Sequence, residues 1–217
     1  MKSKKLSIMV SSTVYGIEEL LERVFSQLLQ YGYEVKMSHK GTVWAPSNRD
    51  NMQNCLKAVE ESDLFLGIVT PVYGSSANTS NWNDKSITHL EFLKAIELNK
   101  PRWILTDERV FFMRNVLRKY GIDNVEKLES FFNQAKSGAH HVFDPRVILM
   151  HEQAIGFRDV DGNVVDKSNR QTKWAQPFKG AADVDLFVSA QFSRYHDVEA
   201  FVEENFKSIR MLGRRLG

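Results

Sequence analysis

The sequence predicts a doubly wound α/β fold around a mainly parallel sheet, and three observations lead there. Leu64 to Val69 (LFLGIV) is an uninterrupted apolar run, as a strand buried on both faces requires. Leu6 to Val10 (LSIMV) is a second such run, closed by Ser11, Ser12 and Thr13. Helix-period segments alternate with these short strands at close spacing, the rhythm of βαβ units with right-handed crossovers.

The elements follow in order. After LSIMV, Ile17, Leu20, Leu21, Val24 and Leu28 recur at helical spacing, which predicts a helix from about Ile17 to Tyr31 stopped by Gly32. Tyr33 to Met37 reads as a short strand, and a loop with Gly41, Trp44 and Pro46 follows it. Ser47 or Asn48 is then expected to cap a helix running to Glu61, with Met52, Cys55, Leu56 and Val59 as its buried stripe. The LFLGIV strand comes next, and then a long polar loop from Thr70 to Ser86. A helix is expected from about Thr88 to Asn99, and a strand over Arg102 to Thr106.

Beyond Asp107 the alternation loosens. Arg109 to Tyr120 and Asn124 to Lys136 read as helices, and Val142 to Met150 fits helix or strand. Asp161-Gly162 between apolar residues signals a hairpin over Phe157 to Val165. Val184 to Ala190 reads as the last strand and Val198 to Leu212 as the last helix. The expected organisation is one domain over 1–217. Its core is 5–106 and about 181–212, and a helical and hairpin insertion lies at about 107–180.

Bulk properties narrow the function classes. A net charge of +2 is too small to argue for nucleic acid, and the basic RNVLRK and RMLGRRLG stretches read as solvated surface. The single cysteine, Cys55, rules out an internal disulfide framework and reads as a small buried hydrophobe. The N-terminal apolar segment is too short for a signal peptide. No run approaches the ~18 apolar residues of a membrane span, so a cytoplasmic protein with no membrane partner is expected. His140 and His141 are adjacent and would not share a helix face. No Cys/His group has metal-ligand spacing, so no metal is expected.

Open parallel sheets bind ligands beyond the carboxyl ends of their strands. That rule selects Ser11, Ser12 and Thr13, the 39–44 loop, the 70–86 loop with Tyr73 and Gly74, and the helix start at Thr88 to Glu91. Asp63 precedes its strand and falls at the opposite edge, where a turn role is expected. Hydroxyls and amides at Ser11-Ser12-Thr13 suit a ribose or phosphate against a helix N-terminus, or simply a cap. Trp44 and Tyr73 offer rings for stacking on a base, or anchors for their loops. The absence of GxGxxG and GxxxxGK[ST] argues against a dinucleotide-fold redox enzyme and a P-loop NTPase. Glu91 lies three residues after Thr88, which is capping-box spacing, and on spacing alone a cap worth about 1 kcal/mol is the favoured reading. The other reading turns the carboxylate into the crevice, where it would stabilise an oxocarbenium-like transition state or form a glycosyl ester.

VSST followed by VYG, DLFLGIVTPVYGS, and SITHLEFLKAIELNKP resemble, in order and spacing, an uncharacterised bacterial family. That family is related to TIR domains and nucleoside 2-deoxyribosyltransferases. The resemblance covers about residues 5–106. It implies a flavodoxin-like, TIR-type fold in which Glu91 corresponds to the glutamate that attacks or stabilises the ribosyl C1′. It further implies that Ser11, Ser12 and Thr13 contact substrate and that Tyr73, Gly74, Ser86 and Thr88 line the same pocket. The expected activity is cleavage of an N-glycosidic bond, as an NAD(P) glycohydrolase or a nucleotide ribosyl-transfer enzyme, in a stress or antiphage-defence setting. NAD(P) or another small-molecule nucleotide would be substrate, with no further cofactor. The alternative is a non-catalytic module that binds a nucleotide-derived ligand and signals through self-association or a partner protein, because fold does not decide function.

Overall fold

The computed structural model describes residues 5–75, 81–135, 143–170 and 174–206. The strands are β1 (Ser7–Ser12), β2 (Glu34–Lys36), β3 (Leu64–Val69), β4 (Arg102–Asp107) and β5 (Ala175–Phe178). The helices are α1 (Glu18–Gln30), α2 (Asn51–Glu61), α3 (Ile87–Glu97), α4 (Glu108–Lys119), α5 (Val125–Ala135), α6 (Arg146–Ala154), α7 (Ala181–Phe192) and α8 (Tyr195–Asn205). All four strand pairings are parallel, in the order β2-β1-β3-β4-β5. This is the flavodoxin-like doubly wound order, with its switch point between β1 and β3.

The pleat sorts the core into two layers. Ile8 and Val10 of β1, with Leu64, Leu66 and Ile68 of β3, pack against α1, α7 and α8. Met9, Phe65, Val69 and Ile104 point the other way, against α2 to α6. Every residue of LFLGIV is buried, as a central strand covered on both faces demands.

Two local devices fix α3. A Cβ on Gly67 would fall 2.4 Å from the Phe92 ring, so the missing side chain lets α3 lie directly on β3. Phe92 also meets Phe65 edge-on, with ring centroids 5.2 Å apart. At the far end of α3, Asn99 adopts φ +48° and the chain turns into Lys100-Pro101. Buried Lys100 donates to the Glu60 and Ser62 carbonyls at 2.7 and 2.6 Å, which satisfies the C-terminal end of α2. Burial lowers the Lys100 pKa to about 8.

The structure corrects several expectations. Val184 to Ala190 is helical, within α7. Val184, Val188 and Phe192 bury one stripe at i, i+4, i+8 while Leu186 is 72% exposed. The last strand is instead β5, AQPF, inside the stretch expected to belong to the insertion. It is an edge strand carrying Pro177, and only Phe178 is buried. In α2 the buried side is Asn54, Cys55, Ala58 and Val59, and Met52 is 40% exposed. Asp50, rather than Ser47 or Asn48, caps that helix by accepting from the Gln53 N–H. The expected hairpin is a single antiparallel bridge, Arg158 to Val164, turning at Gly162 with φ +91°. Asp63 lies at the edge opposite the strands' carboxyl ends, accepting from the Ser7 amide and hydroxyl. His140, His141 and the C-terminal basic stretch lie outside the described residues.

Candidate active site

The crevice beyond the carboxyl ends of β1 and β3 holds a cavity of about 250 Å³, and Glu91 forms part of its wall. The capping-box reading of Glu91 does not hold. Ser86, not Thr88, caps α3, its hydroxyl accepting from the His89 N–H at 3.2 Å. The helix therefore begins two residues earlier than its spacing suggests, and Glu91 lies beyond the reach of the capping residue. Its carboxylate is turned to the sheet, where it accepts from the Ser11 hydroxyl at the end of β1. The Cys55 thiol on α2 lies near the same carboxylate, with the Asn51 side-chain oxygen 4.0 Å from its sulfur. Burial pushes the Glu91 pKa up to about 7, and the Ser11 hydroxyl and the nearby Cys55 thiol oppose that rise. Burial and the neighbouring Glu91 charge push Cys55 up to about 12, so it stays a protonated thiol and is no nucleophile.

The expected site residues divide into three groups. Ser12, Thr13, Gly74, Thr88 and Glu91 line the cavity together. Ser12 donates to the Ile68 carbonyl and Thr13 to the Val72 carbonyl, which ties the loop after β3 to the loop after β1. Gly74 adopts φ +94°, and a Cβ there would lie 3.0 Å from the Thr13 hydroxyl oxygen, so glycine permits this close fit. Ser11 and Ser86 are buried behind the wall, the first holding Glu91 and the second capping α3.

Tyr73 and Trp44 are outside the cavity. Tyr73 is buried, with its hydroxyl 2.6 Å from His89 Nδ1 and the Arg146 guanidinium 4.3 Å from its ring centroid, so no ligand ring can stack on it. Trp44 is 70% exposed and stands under Arg49, away from the crevice. The sequence reading missed Ser38, Asn51 and Ser75 and gave Cys55 only a packing role, yet all four line the cavity, as does Tyr15. A signal existed for two of them. Ser38 follows β2, and Asn51 opens α2, so both sit at the edge where open α/β sheets bind ligands.

The insertion supports the wall from behind. Gln153 Nε2 donates to the Asp159 and Val160 carbonyls, which orients its Oε1 toward His89 Nε2 at 2.7 Å. His89 therefore carries its proton on Nε2 and accepts the Tyr73 hydroxyl at Nδ1. Burial lowers the His89 pKa to about 4, so the ring is neutral. Arg146, buried on α6, pairs with Asp144 and donates to the Asn81 and Asp84 carbonyls, stapling the loop before α3. Among the described residues, no group of three His, Cys, Asp or Glu could hold a metal, and no helix is long and apolar enough to cross a membrane.

A family model, "Domain of unknown function (DUF4062)", matches residues 7–151. The chain belongs to the DUF4062 family. No curated protein and no solved structure matches it. The DUF4062 match contains the first four strands and every residue of the cavity wall, and it ends within α6.

Proposed function

We propose that this DUF4062 protein cleaves the N-glycosidic bond of a nucleoside-type substrate. NAD(P) and its relatives form the substrate group whose leaving nitrogen needs least assistance. The observation that carries the reading is the Glu91 carboxyl group. It is desolvated, fixed by the Ser11 hydroxyl, and set in the wall of a hydroxyl-lined cavity at the topological switch point. Carboxyl groups perturbed by desolvation in a cleft are concentrated at functional sites. The resemblance of VSST and SITHLEFLKAIELNKP to TIR-type and deoxyribosyltransferase sequences supports the same residue.

In the proposed reaction Glu91 faces C1′ of the ribosyl unit. The C1′–N bond breaks and its electron pair leaves with nitrogen. A pyridinium nitrogen departs as neutral nicotinamide, so no second acid is required. The carboxylate stabilises the oxocarbenium ion or bonds to C1′. Water, or an acceptor nitrogen, then adds at C1′ and loses its proton.

The test is nicotinamide or base release from NAD and a nucleoside panel, for wild type and Glu91→Gln. Loss of activity in Glu91→Gln is expected. Full activity in that variant refutes the residue, and an inert wild type across the panel refutes the reaction in favour of a ligand-binding module.

A further inference from the structure

We propose that Arg114 and Arg118 of α4, with Arg170 beyond the 157–165 turn, form a binding site for the phosphate or pyrophosphate group of a small molecule. The site shares no residue with the wall of the Glu91 cavity and does not depend on Glu91 being catalytic.

The cluster carries an excess of charge. The guanidinium carbons of Arg114, Arg118, Arg158 and Arg170 lie 5.1, 4.7, 5.6 and 4.4 Å from the centroid of the Phe157 ring. Among the described residues, buried Glu152 is the one carboxylate paired with them. One of its oxygens accepts from Arg114 and Arg118, at 2.8 Å each, and the other accepts from Arg158. Four guanidiniums against one carboxylate leave three positive charges uncompensated. Asp123 and Asp159 are engaged otherwise, the first with Lys127 and the second with the Asp161 and Asn163 amides.

The donors are unequally used. Arg158 is satisfied, because it also donates to the Gly162 and Asp123 carbonyls at 2.9 and 2.7 Å, and its role is structural. Arg114 uses only Nε, Arg118 only Nη2, and Arg170 only Nε, on the Val165 carbonyl at 2.8 Å. Their other guanidinium nitrogens make no hydrogen bond among the described residues. These nitrogens are within reach of a ligand, since the Arg114 side chain is 14% exposed, the Arg118 side chain 33% exposed, and Arg170 half-buried. Partly desolvated guanidinium forks with unused donors match the oxygens of a phosphate, which they bind bidentately.

The field of the cluster also reaches inward. Burial first, and then the Arg114 and Arg118 charges, lower the pKa of His151 to about 3, so Glu152 beside it does not cancel those charges. Glu152, Phe157, Arg158 and Arg170 all follow residue 151, where the DUF4062 match ends.

A small phosphate ligand fits better than a nucleic acid. Single strands need a basic groove that tracks the backbone and open aromatic faces for the bases. Here the charge is gathered around one ring, and guanidiniums already occupy that ring.

The experiment titrates the full chain at low salt with inorganic phosphate and with inorganic pyrophosphate, by calorimetry and by the shift in thermal midpoint. Saturable binding of one anion per chain is expected, with pyrophosphate the tighter. Arg170→Gln leaves the Glu152 pairs intact and is expected to weaken pyrophosphate binding about tenfold or more. Arg118→Lys keeps the charge beside Glu152 but loses the fork, and gives the same readout if Arg170→Gln does not fold. No binding of either anion overturns the site, and so does binding that neither variant weakens. A midpoint raised equally by sodium chloride at matched ionic strength is screening of the arginines and overturns it too. Binding of a single-stranded oligonucleotide without binding of pyrophosphate overturns the small-molecule assignment.

Discussion

Replacing Glu91 by Gln keeps the side chain's shape, and its amide oxygen still accepts from Ser11, but one titrating group leaves the interior. The size of the effect follows from the proton affinity of the buried carboxyl, raised by burial from an ordinary 4.5 to about 7. Because the folded state binds this proton more tightly than the unfolded state, ionisation works against folding. The stabilising contribution is complete below pH 4.5 and is lost as the pH rises through 7. The full gap corresponds to about 3 kcal/mol, of which about 2 kcal/mol falls between pH 5 and pH 8. Urea unfolding of wild type and Glu91→Gln at those two pH values isolates it, since every other titration is common to both proteins. The variant's advantage over wild type is expected to grow by about 2 kcal/mol from pH 5 to pH 8. An advantage that does not change with pH would mean that the carboxylate is solvated and that its desolvation at the cavity wall is wrong.

Further outcomes follow from the same geometry. If Glu91 acts as an ionised nucleophile or stabiliser, kcat/KM rises with pH through about 7 and then levels; a fall over that range would make it a general acid instead. Gly67→Ala forces the Phe92 ring off β3, and the urea midpoint is expected to report a loss of about 2 kcal/mol together with reduced turnover. Lys100→Met leaves two carbonyls at the end of α2 without their donor and is expected to cost about 2 kcal/mol in the same assay. Trp44→Ala is expected to leave both stability and KM unchanged, because the ring stands outside the cavity.

The parallel core was legible because its strands are buried on both faces and therefore read as unbroken apolar runs. The pleat left little choice for LSIMV and LFLGIV. β5 escaped notice because an edge strand of four residues with Pro177 and one buried side chain carries no periodic signal. The VDLFVSA segment misled for a related reason. Its apolar residues satisfy a two-residue period and a helical one equally well, and Ala181, Ala182 and the Phe192 contact decide it only in three dimensions. At the site, Glu91 was legible as a position but not as an orientation. The hydroxyl that caps α3 belongs to Ser86, and choosing between Ser86 and Thr88 needs the backbone path of the loop. Tyr73 failed as a stacking residue because its partners, His89 and Arg146, are 16 and 73 positions away along the chain.

The contact from His89 to Gln153, and onward to the carbonyls of Asp159 and Val160, sets a limit on how this protein can be shortened. A chain trimmed to residues 7–151 keeps every wall residue of the cavity. It also discards Gln153, the turn that orients it, and Glu152, the shared partner of Arg114, Arg118 and Arg158. It strips β5 from β4 as well, exposing a strand that the whole molecule covers. The portion that sequence comparison marks off as a unit therefore omits contacts that the whole fold uses, and a fragment cut at that border would carry an intact pocket on an unsupported helix.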